Sequence, residues 1–316
     1  MAKPILAAEH FQNEAAAFAF LEARIWPNGK PICPKCGVMG EAKRLHGKTT
    51  RMGLWKCYAC MKPFTVKVGT VFEASHVPLH IWLQTVHLIA SSKKGISTHQ
   101  IHRTMGVTLK TAWFMTMRVR EAMKAVGYEP LGGPWRVVEG DETYVGGKAA
   151  NRAHSKVIPQ KQIVMTLVER GGAVRSFHVP NVNAANLQPI IAKHIHTDSR
   201  YMTDTSSVAA FLGLPFRGRH QTVNHSKDEY VRGDVYTNTV EGYFSILKRG
   251  IYGVYQHVSE AHLQRYLTEF DFRYTNRMKV GVDDAERADL ILQGAWGRRL
   301  TYRTTRGDRT APSSPA

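Results

Sequence analysis

Two sets of residues in this chain have the types and spacings that chemistry requires. Cys33-Pro-Lys-Cys36 is followed after 20 residues by Cys57-Tyr-Ala-Cys60. Two such pairs, each offering two thiolates from one tight turn, are the signature of a tetrahedral four-sulfur zinc site. Together they use all four cysteines of the chain, which argues against a redox Cys-x-x-Cys and against a disulfide framework. One structural Zn2+ is expected. The second set is acidic: Asp141, Asp204 and Glu241. Cutting a phosphodiester needs an activated nucleophile, a stabilised leaving oxygen and neutralised phosphate charge, and two divalent ions about 3.5–4 Å apart supply all three. Magnesium takes oxygen ligands from a few carboxylates and leaves the rest to substrate, so such a set suits two Mg2+, with Mn2+ as the alternative ion. With 25 Asp and Glu in the chain, however, many triplets can be drawn, and a single carboxylate more often caps a helix or faces water.

The elements that must hold these residues follow from periodicity. Alternation at 54–56 and 64–68 reads as short strands, which makes residues 31–70 a zinc ribbon behind a helical lead over 1–30. Lys35, Lys43, Arg44, Lys48, Arg51, Lys56, Lys62 and Lys67 surround Trp55, Tyr58 and Phe64 there, a mixture suited to phosphate contact. Over 76–128 the pattern turns helical. Leu79, Trp82, Leu83, Val86, Ile89 and Ala90 recur at three- and four-residue steps, Ser97 caps a short helix to Met105, Gly106 turns the chain and Thr108 opens a longer helix. In this helix-turn-helix order the second helix would turn Lys110, Thr111, Phe114 and Arg118 toward DNA.

Residues 134–280 read as strand, strand, strand, helix, strand, helix, strand, helix, an α/β order. Strands are expected at 135–145, 162–168, 174–179, 200–203 and 221–223, helices at 183–191, 206–212 and 238–249, and a hairpin turn at Gly146-Gly147. Asp141 then lies near the centre of the first strand, Asp204 at the end of the fourth, and Glu241 on the late helix. On that helix Val240, Phe244, Leu247 and Ile251 form an apolar stripe, while Glu241, Ser245 and Lys248 fall on another. Residues 281–316 are set off as a basic C-terminal tail, and the stretch after Leu290, with Arg298, Arg299, Arg303, Arg306 and Arg309, reads as basic and largely disordered.

Bulk charge limits the partner. The 316 residues carry 43 Lys and Arg against 25 Asp and Glu, a formal +18, which points to a polyanion and to nucleic acid before an acidic membrane surface. No apolar run reaches the roughly 18–20 residues of a membrane helix, and Glu9, Glu14 and Glu22 interrupt the start where a signal peptide is apolar. No membrane partner and a cytoplasmic, nucleoid-associated location are expected.

Several longer runs carry a resemblance. They are Leu21-Glu-Ala-Arg-Ile-Trp26-Pro-Asn-Gly29 before the first cysteine pair, Asp141-Glu-Thr-Tyr-Val-Gly-Gly-Lys148, and Thr237-Asn-Thr-Val-Glu241-Gly-Tyr-Phe-Ser-Ile-Leu-Lys248-Arg-Gly-Ile-Tyr-Gly253. His257-Val-Ser259, His262-Leu-Gln-Arg-Tyr266, Glu269-Phe270 and Phe272-Arg-Tyr-Thr-Asn-Arg277 continue in the same order. On these runs most of the chain resembles bacterial insertion-sequence transposases of the zinc-ribbon group with a ribonuclease H-like DDE domain. The resemblance implies a fold with an N-terminal zinc ribbon and helix-turn-helix segment followed by a ribonuclease H-like mixed-sheet catalytic domain. It makes Asp141, Asp204 and Glu241 the catalytic carboxylates that hold the magnesium ions, and puts Lys248, with neighbouring Arg249, on DNA near the scissile end.

The implied activity is binding of terminal inverted repeats, cleavage to 3′-hydroxyl ends and joining of those ends to target DNA. Double-stranded DNA, both element ends and target, is then the partner, and pairing two ends calls for a homodimer or higher oligomer on DNA. Two alternatives keep parts of this: a non-catalytic zinc-ribbon regulator derived from a transposase, and a plain metal-dependent nuclease. Glu241 and Lys248, seven residues apart on one helix, share a face about 10 Å apart along its axis. The sequence departs from the group at Tyr236, where His is frequent, and at Gly140, where a bulkier residue commonly precedes the first Asp. The group also varies at its third acidic position, which makes Asn238 and His225 secondary candidates for the metal. Glu142 is the alternative to Asp141, because neighbours on a strand point to opposite faces and only one should look into the site.

Overall fold

The computed structural model describes residues 4–301 apart from 126, 128, 147–160, 206–215 and 217. Two helices, α1 (Glu9–Gln12) and α2 (Glu14–Ile25), meet at Asn13, whose side chain accepts the Ala16 N–H and so starts α2. Leu21, Ile25 and Trp26 carry this lead onto a three-stranded antiparallel sheet of β1 (Ala42–Arg44), β2 (Trp55–Cys57) and β3 (Pro63–Phe64). Trp26 meets Trp55 and Phe64 edge-on with ring centroids 5.5 and 6.0 Å apart. So small a sheet cannot bury a core alone, and α2 supplies the missing apolar surface. β3 stops at Phe64, short of the alternation that runs to Val68, because the chain turns there: the Val68 N–H donates to the Thr65 carbonyl while Val66 stays in the core.

Three helices follow, α3 (Leu79–Ser91), α4 (Thr98–Met105) and α5 (Leu109–Ala122). Ser97 caps α4 by accepting the Gln100 N–H, and Thr108 caps α5 by accepting the Thr111 N–H. Gly106 joins them at φ 66°, a left-handed conformation that glycine adopts without strain.

The second half is a five-stranded sheet of β4 (Val137–Val145), β5 (Gln162–Glu169), β6 (Val174–Val179), β7 (Arg200–Asp204) and β8 (His220–Val223) in the order β6-β5-β4-β7-β8. The first three strands pair antiparallel, and β4, β7 and β8 pair parallel. A parallel neighbour needs a crossover, and α6 (Ala184–His194), capped by Asn183, makes it between β6 and β7. A small hairpin of β9 (Val231–Arg232) and β10 (Val235–Tyr236) leads into α7 (Asn238–Gly250), which runs through a π-helical turn at Ile251–Tyr255 toward α8 (Glu260–Thr275). This is a ribonuclease H-like mixed sheet with helices on both faces. One face carries α7 and α8 against Val145, Val164 and Val168, and the other carries α6 against Val138, Met165, Leu167 and Tyr201. The edge strand β6 is sealed by α8, whose Thr275, Asp271 and Gln264 side chains accept the N–H groups of Val174, Ser176 and His178. The turn expected at Gly146-Gly147 and the helix expected over 206–212 lie wholly or partly outside the described residues.

The last helix, α9 (Asp284–Gln293), corrects the reading of 281–316 as a tail. It opens with a reciprocal cap between Asp283 and Glu286 and packs on α3, with Ile291, Leu292 and Ala295 buried in the core of the front half. Arg-rich composition masks an apolar stripe of Ala288, Ile291, Leu292 and Ala295. Residues 302–316 lie outside the described residues.

Front half and sheet are tied by a buried ion cluster. The fully buried Glu269 of α8 accepts the Arg120 Nε of α5 at 2.6 Å, the Tyr255 hydroxyl at 2.5 Å and the Arg273 guanidinium. Burial alone would lift the Glu269 carboxyl, but Arg273 and Arg120 hold it down at about 2. Glu269→Gln would leave two guanidiniums buried without a counter-charge, and denaturant unfolding should show a loss of roughly 3–5 kcal/mol.

Candidate functional site

The cysteines converge. Cys33 and Cys60 have their sulfurs 3.7 Å apart, as do Cys36 and Cys57, and all four sulfurs lie within 4.8 Å of one another. A tetrahedron with Zn–S bonds of about 2.3 Å has edges of about 3.8 Å. The four cysteines are therefore positioned for one zinc ion. The thiols act on one another: the Cys60 backbone N–H draws Cys57 below its ordinary range, while at Cys36 the Val38 backbone N–H is outweighed by burial and the neighbouring thiols, which push it up to about 12.

Around this centre the basic residues divide. Lys43 and Lys56 face each other across β1 and β2, each with its ammonium within 6 Å of the exposed Tyr58 ring, at 5.7 and 5.6 Å. Lys67 turns inward to the Ser75 carbonyl at 2.9 Å. On α5, Lys110 is exposed at the helix start, while Thr111 bonds Thr108. Arg118 corrects the expectation of a DNA contact. It is buried, it donates to the carbonyls of Val71, Glu73 and Leu300 at 2.9, 2.7 and 3.1 Å, and it lies over the Phe114 ring. Three carbonyls from distant segments satisfy its guanidinium, so it packs the helix and does not face DNA.

In the sheet domain, Asp141, Glu142 and Asp204 bring carboxylate oxygens within 4.8 Å of one another. Strand alternation puts Asp141 on the α7 face, with Glu139, and Glu142 on the α6 face, with Val138. Both reach one spot because the parallel ladder between β4 and β7 ends at Glu139↔Met202. Beyond that pair the strands part, and Asp204 closes the far side of the gap at the end of β7. The rule that only one neighbour looks into a site assumes an unbroken ladder, and here the carboxylates of Asp141 and Glu142 both reach the gap.

Burial, then the like charges of Glu142, Asp204 and Glu241, pushes the Asp141 carboxyl up to about 7, against the Glu142 N–H that Asp141 accepts at 2.7 Å. Burial and Asp204 raise Glu142 as well. Glu241 stands apart from the three-carboxylate group. Its side chain is 48% exposed, and its Oε1 takes the Thr237 hydroxyl at 3.3 Å and lies 3.5 Å from His225 Nε2. Lys248 lies on the same side of α7 two turns on, and Arg249 is folded back on Ser245 of its own helix. Asn238 is exposed at the start of α7.

What holds Asp141 and Glu241 in register is a residue that sequence reasoning passed over. Glu139, fully buried two positions before Asp141, accepts the N–H groups of Thr239 and Val240 at 2.8 and 3.0 Å, the Thr239 hydroxyl at 2.8 Å and the Arg170 Nε at 2.5 Å. A carboxylate from β4 thus caps the N-terminus of α7. Arg170 donates onward to the carbonyls of Asp234 and Tyr236 and lies 3.5 Å over the Tyr236 ring, which accounts for an aromatic at 236. The one available signal was an acidic residue inside an apolar strand.

Residues 130–275 match the model of the ISXO2-like transposase domain, and residues 12–63 match that of the transposase zinc-ribbon domain. Asp141, Glu142, Asp204 and Glu241 fall in the first span and all four cysteines in the second. The chain is 28% identical over 280 residues to a protein in transposable element ISH50 of Halobacterium salinarum, covering 83% of this chain and 91% of that relative; the likeness therefore joins both halves. A transposase-like protein of Haemophilus influenzae is 30% identical over 98 residues, covering 31% of this chain and 77% of the relative.

Two measurements check these sites. Atomic absorption should find one zinc per chain in the wild type and none in Cys57→Ser, whose melting temperature should also fall, because Cys57 is buried in the shared core. For Asp141, a folded-state carboxyl raised to about 7 favours folding while protonated, so its contribution is full below about pH 4 and is lost as pH rises through 7. In magnesium-free buffer Asp141→Asn should therefore raise the melting temperature at pH 8, by on the order of 2 kcal/mol of stability, with the gain fading toward pH 4.

Proposed function

The chain belongs to the family of ISXO2-like insertion-sequence transposases, and we propose that it binds the terminal inverted repeats of its element, cleaves there to free 3′-hydroxyl ends and joins them to target DNA. The observation that carries the chemistry is the meeting of Asp141 and Asp204 where two parallel strands part, with Glu241 on the helix above. Oxygen donors of this kind suit Mg2+, and Mn2+ second. Two such ions, when bound, neutralise phosphate charge and activate water for the first step and a sugar hydroxyl for the second.

The protein's own part is to hold and orient. Asp141 and Asp204 supply the fixed ligands, and Glu241, held by Thr237 and His225, supplies a third from α7. Lys248 positions the strand near the scissile end. The Lys43, Lys56 and Tyr58 group on the ribbon, together with Lys110, attracts phosphate and docks the end DNA. Two ends are paired by at least a dimer on DNA, in the cytoplasm where the nucleoid lies. Among the described residues no helix is long and apolar enough to cross a membrane.

Labelled end DNA, magnesium and a target plasmid provide the test. Joined products are expected from the wild type, and Asp141→Asn and Asp204→Asn should lose both cutting and joining while still retarding end DNA in a gel. Binding without cutting would make the chain a regulator, and cutting without joining would make it a nuclease.

A further inference from the structure

Tyr201 is fully buried, and its hydroxyl has no hydrogen-bond partner. Leaving such a group unpaired forfeits the hydrogen bond it would make with water in the unfolded chain. The ring could only be seated this way because its neighbour is a glycine. Tyr201 pairs with Val138 on β4, on the α6 face, and its ring leans along the strand until the hydroxyl oxygen sits 2.3 Å from where a Cβ on Gly140 would be. Any side chain at 140 would push the hydroxyl away. Glu142 is the next residue on that face, and burial first, then the negative charges of Glu142, Asp141 and Asp204, hold the proton on the Tyr201 hydroxyl. A buried donor without an acceptor thus lies against Gly140, on the same face as Glu142, the side of the carboxylate group that the Asp, Asp, Glu set leaves out.

We infer that Glu142 is a ligand of the divalent ion in its own right, entering from the opposite face of the sheet to Asp141, and that with the ion bound the Tyr201 hydroxyl, which has no partner in this structure, donates to its carboxylate and fixes it there. The inference rests on the metal-site reading above and adds two residues to it. Tyr201 is a positioning residue, since it acts through Glu142 and touches no reacting atom; such outer donors orient ligating carboxylates, and removing one weakens metal binding roughly tenfold or more. Gly140 belongs to the same device as the space into which the hydroxyl fits.

The test reads metal directly. Full-length, zinc-loaded protein is titrated with Mn2+, and free Mn2+ is followed by electron paramagnetic resonance for the wild type, Asp141→Asn, Glu142→Gln and Tyr201→Phe. Glu142→Gln should weaken Mn2+ binding about tenfold or more and Tyr201→Phe by a similar or smaller factor. The melting temperature of Tyr201→Phe in the absence of divalent ions should hold or rise, because the unpaired hydroxyl is gone. That pairing of weaker metal and undiminished stability is what a merely structural tyrosine would not give. Tyr201→Phe keeps the ring, so it decides the matter even where Glu142→Gln folds poorly. Wild-type affinity in Tyr201→Phe alongside loss in Asp141→Asn overturns the inference and leaves the two-metal reading standing. Wild-type affinity in Asp141→Asn overturns both.

Discussion

The carboxylate of Glu139 is the constraint on which the geometry of the candidate site depends. A fully buried charge survives only with a full set of donors, and this one takes four, from Arg170, Thr239 twice and Val240. Its place in both elements makes it more than a satisfied charge. It lies two residues before Asp141 on β4, and the amides it accepts lie one and two residues before Glu241 on α7. The separation of the two catalytic candidates is therefore set by a single short tether, independent of any ion. Arg170 extends the tether to the β9–β10 hairpin through the Asp234 and Tyr236 carbonyls, so the entry to α7 cannot swing separately.

Set against that rigidity is the self-repulsion of the carboxylates. Asp141, Glu142 and Asp204 crowd one gap, and both Asp141 and Glu142 are pushed toward holding protons. Glu241, the most exposed of the four acids, relieves the crowding by taking Thr237 and His225 instead. A scaffold that forces like charges together favours the binding of cations over the ion-free fold.

Features encoded locally were legible in the sequence. The four cysteines sit in two tight turns, and Ser97, Thr108 and Asn183 cap the helices that follow them, because a ligand pair or a cap needs only neighbours along the chain. The strand and helix positions of Asp141, Asp204 and Glu241 came from periodicity for the same reason. Features that depend on tertiary register were not. Glu142 joins the site because a ladder ends at Glu139, Tyr201 meets Gly140 because residue 201 pairs with 138, and Arg118 is turned inward by carbonyls from 71, 73 and 300. None of these separations leaves a mark in local composition.

The return of α9 to the front of the molecule bears on how the protein is made. The core around the ribbon and α3–α5 includes Ile291, Leu292 and Ala295, which are synthesised after the whole ribonuclease H-like domain. During translation the sheet domain can close first, while the module that carries the four cysteines and their neighbouring lysines waits for a wall that is synthesised after that domain. A product interrupted before residue 284 carries all four cysteines and Asp141, Glu142, Asp204 and Glu241, but lacks the helix that completes the core beneath the ribbon.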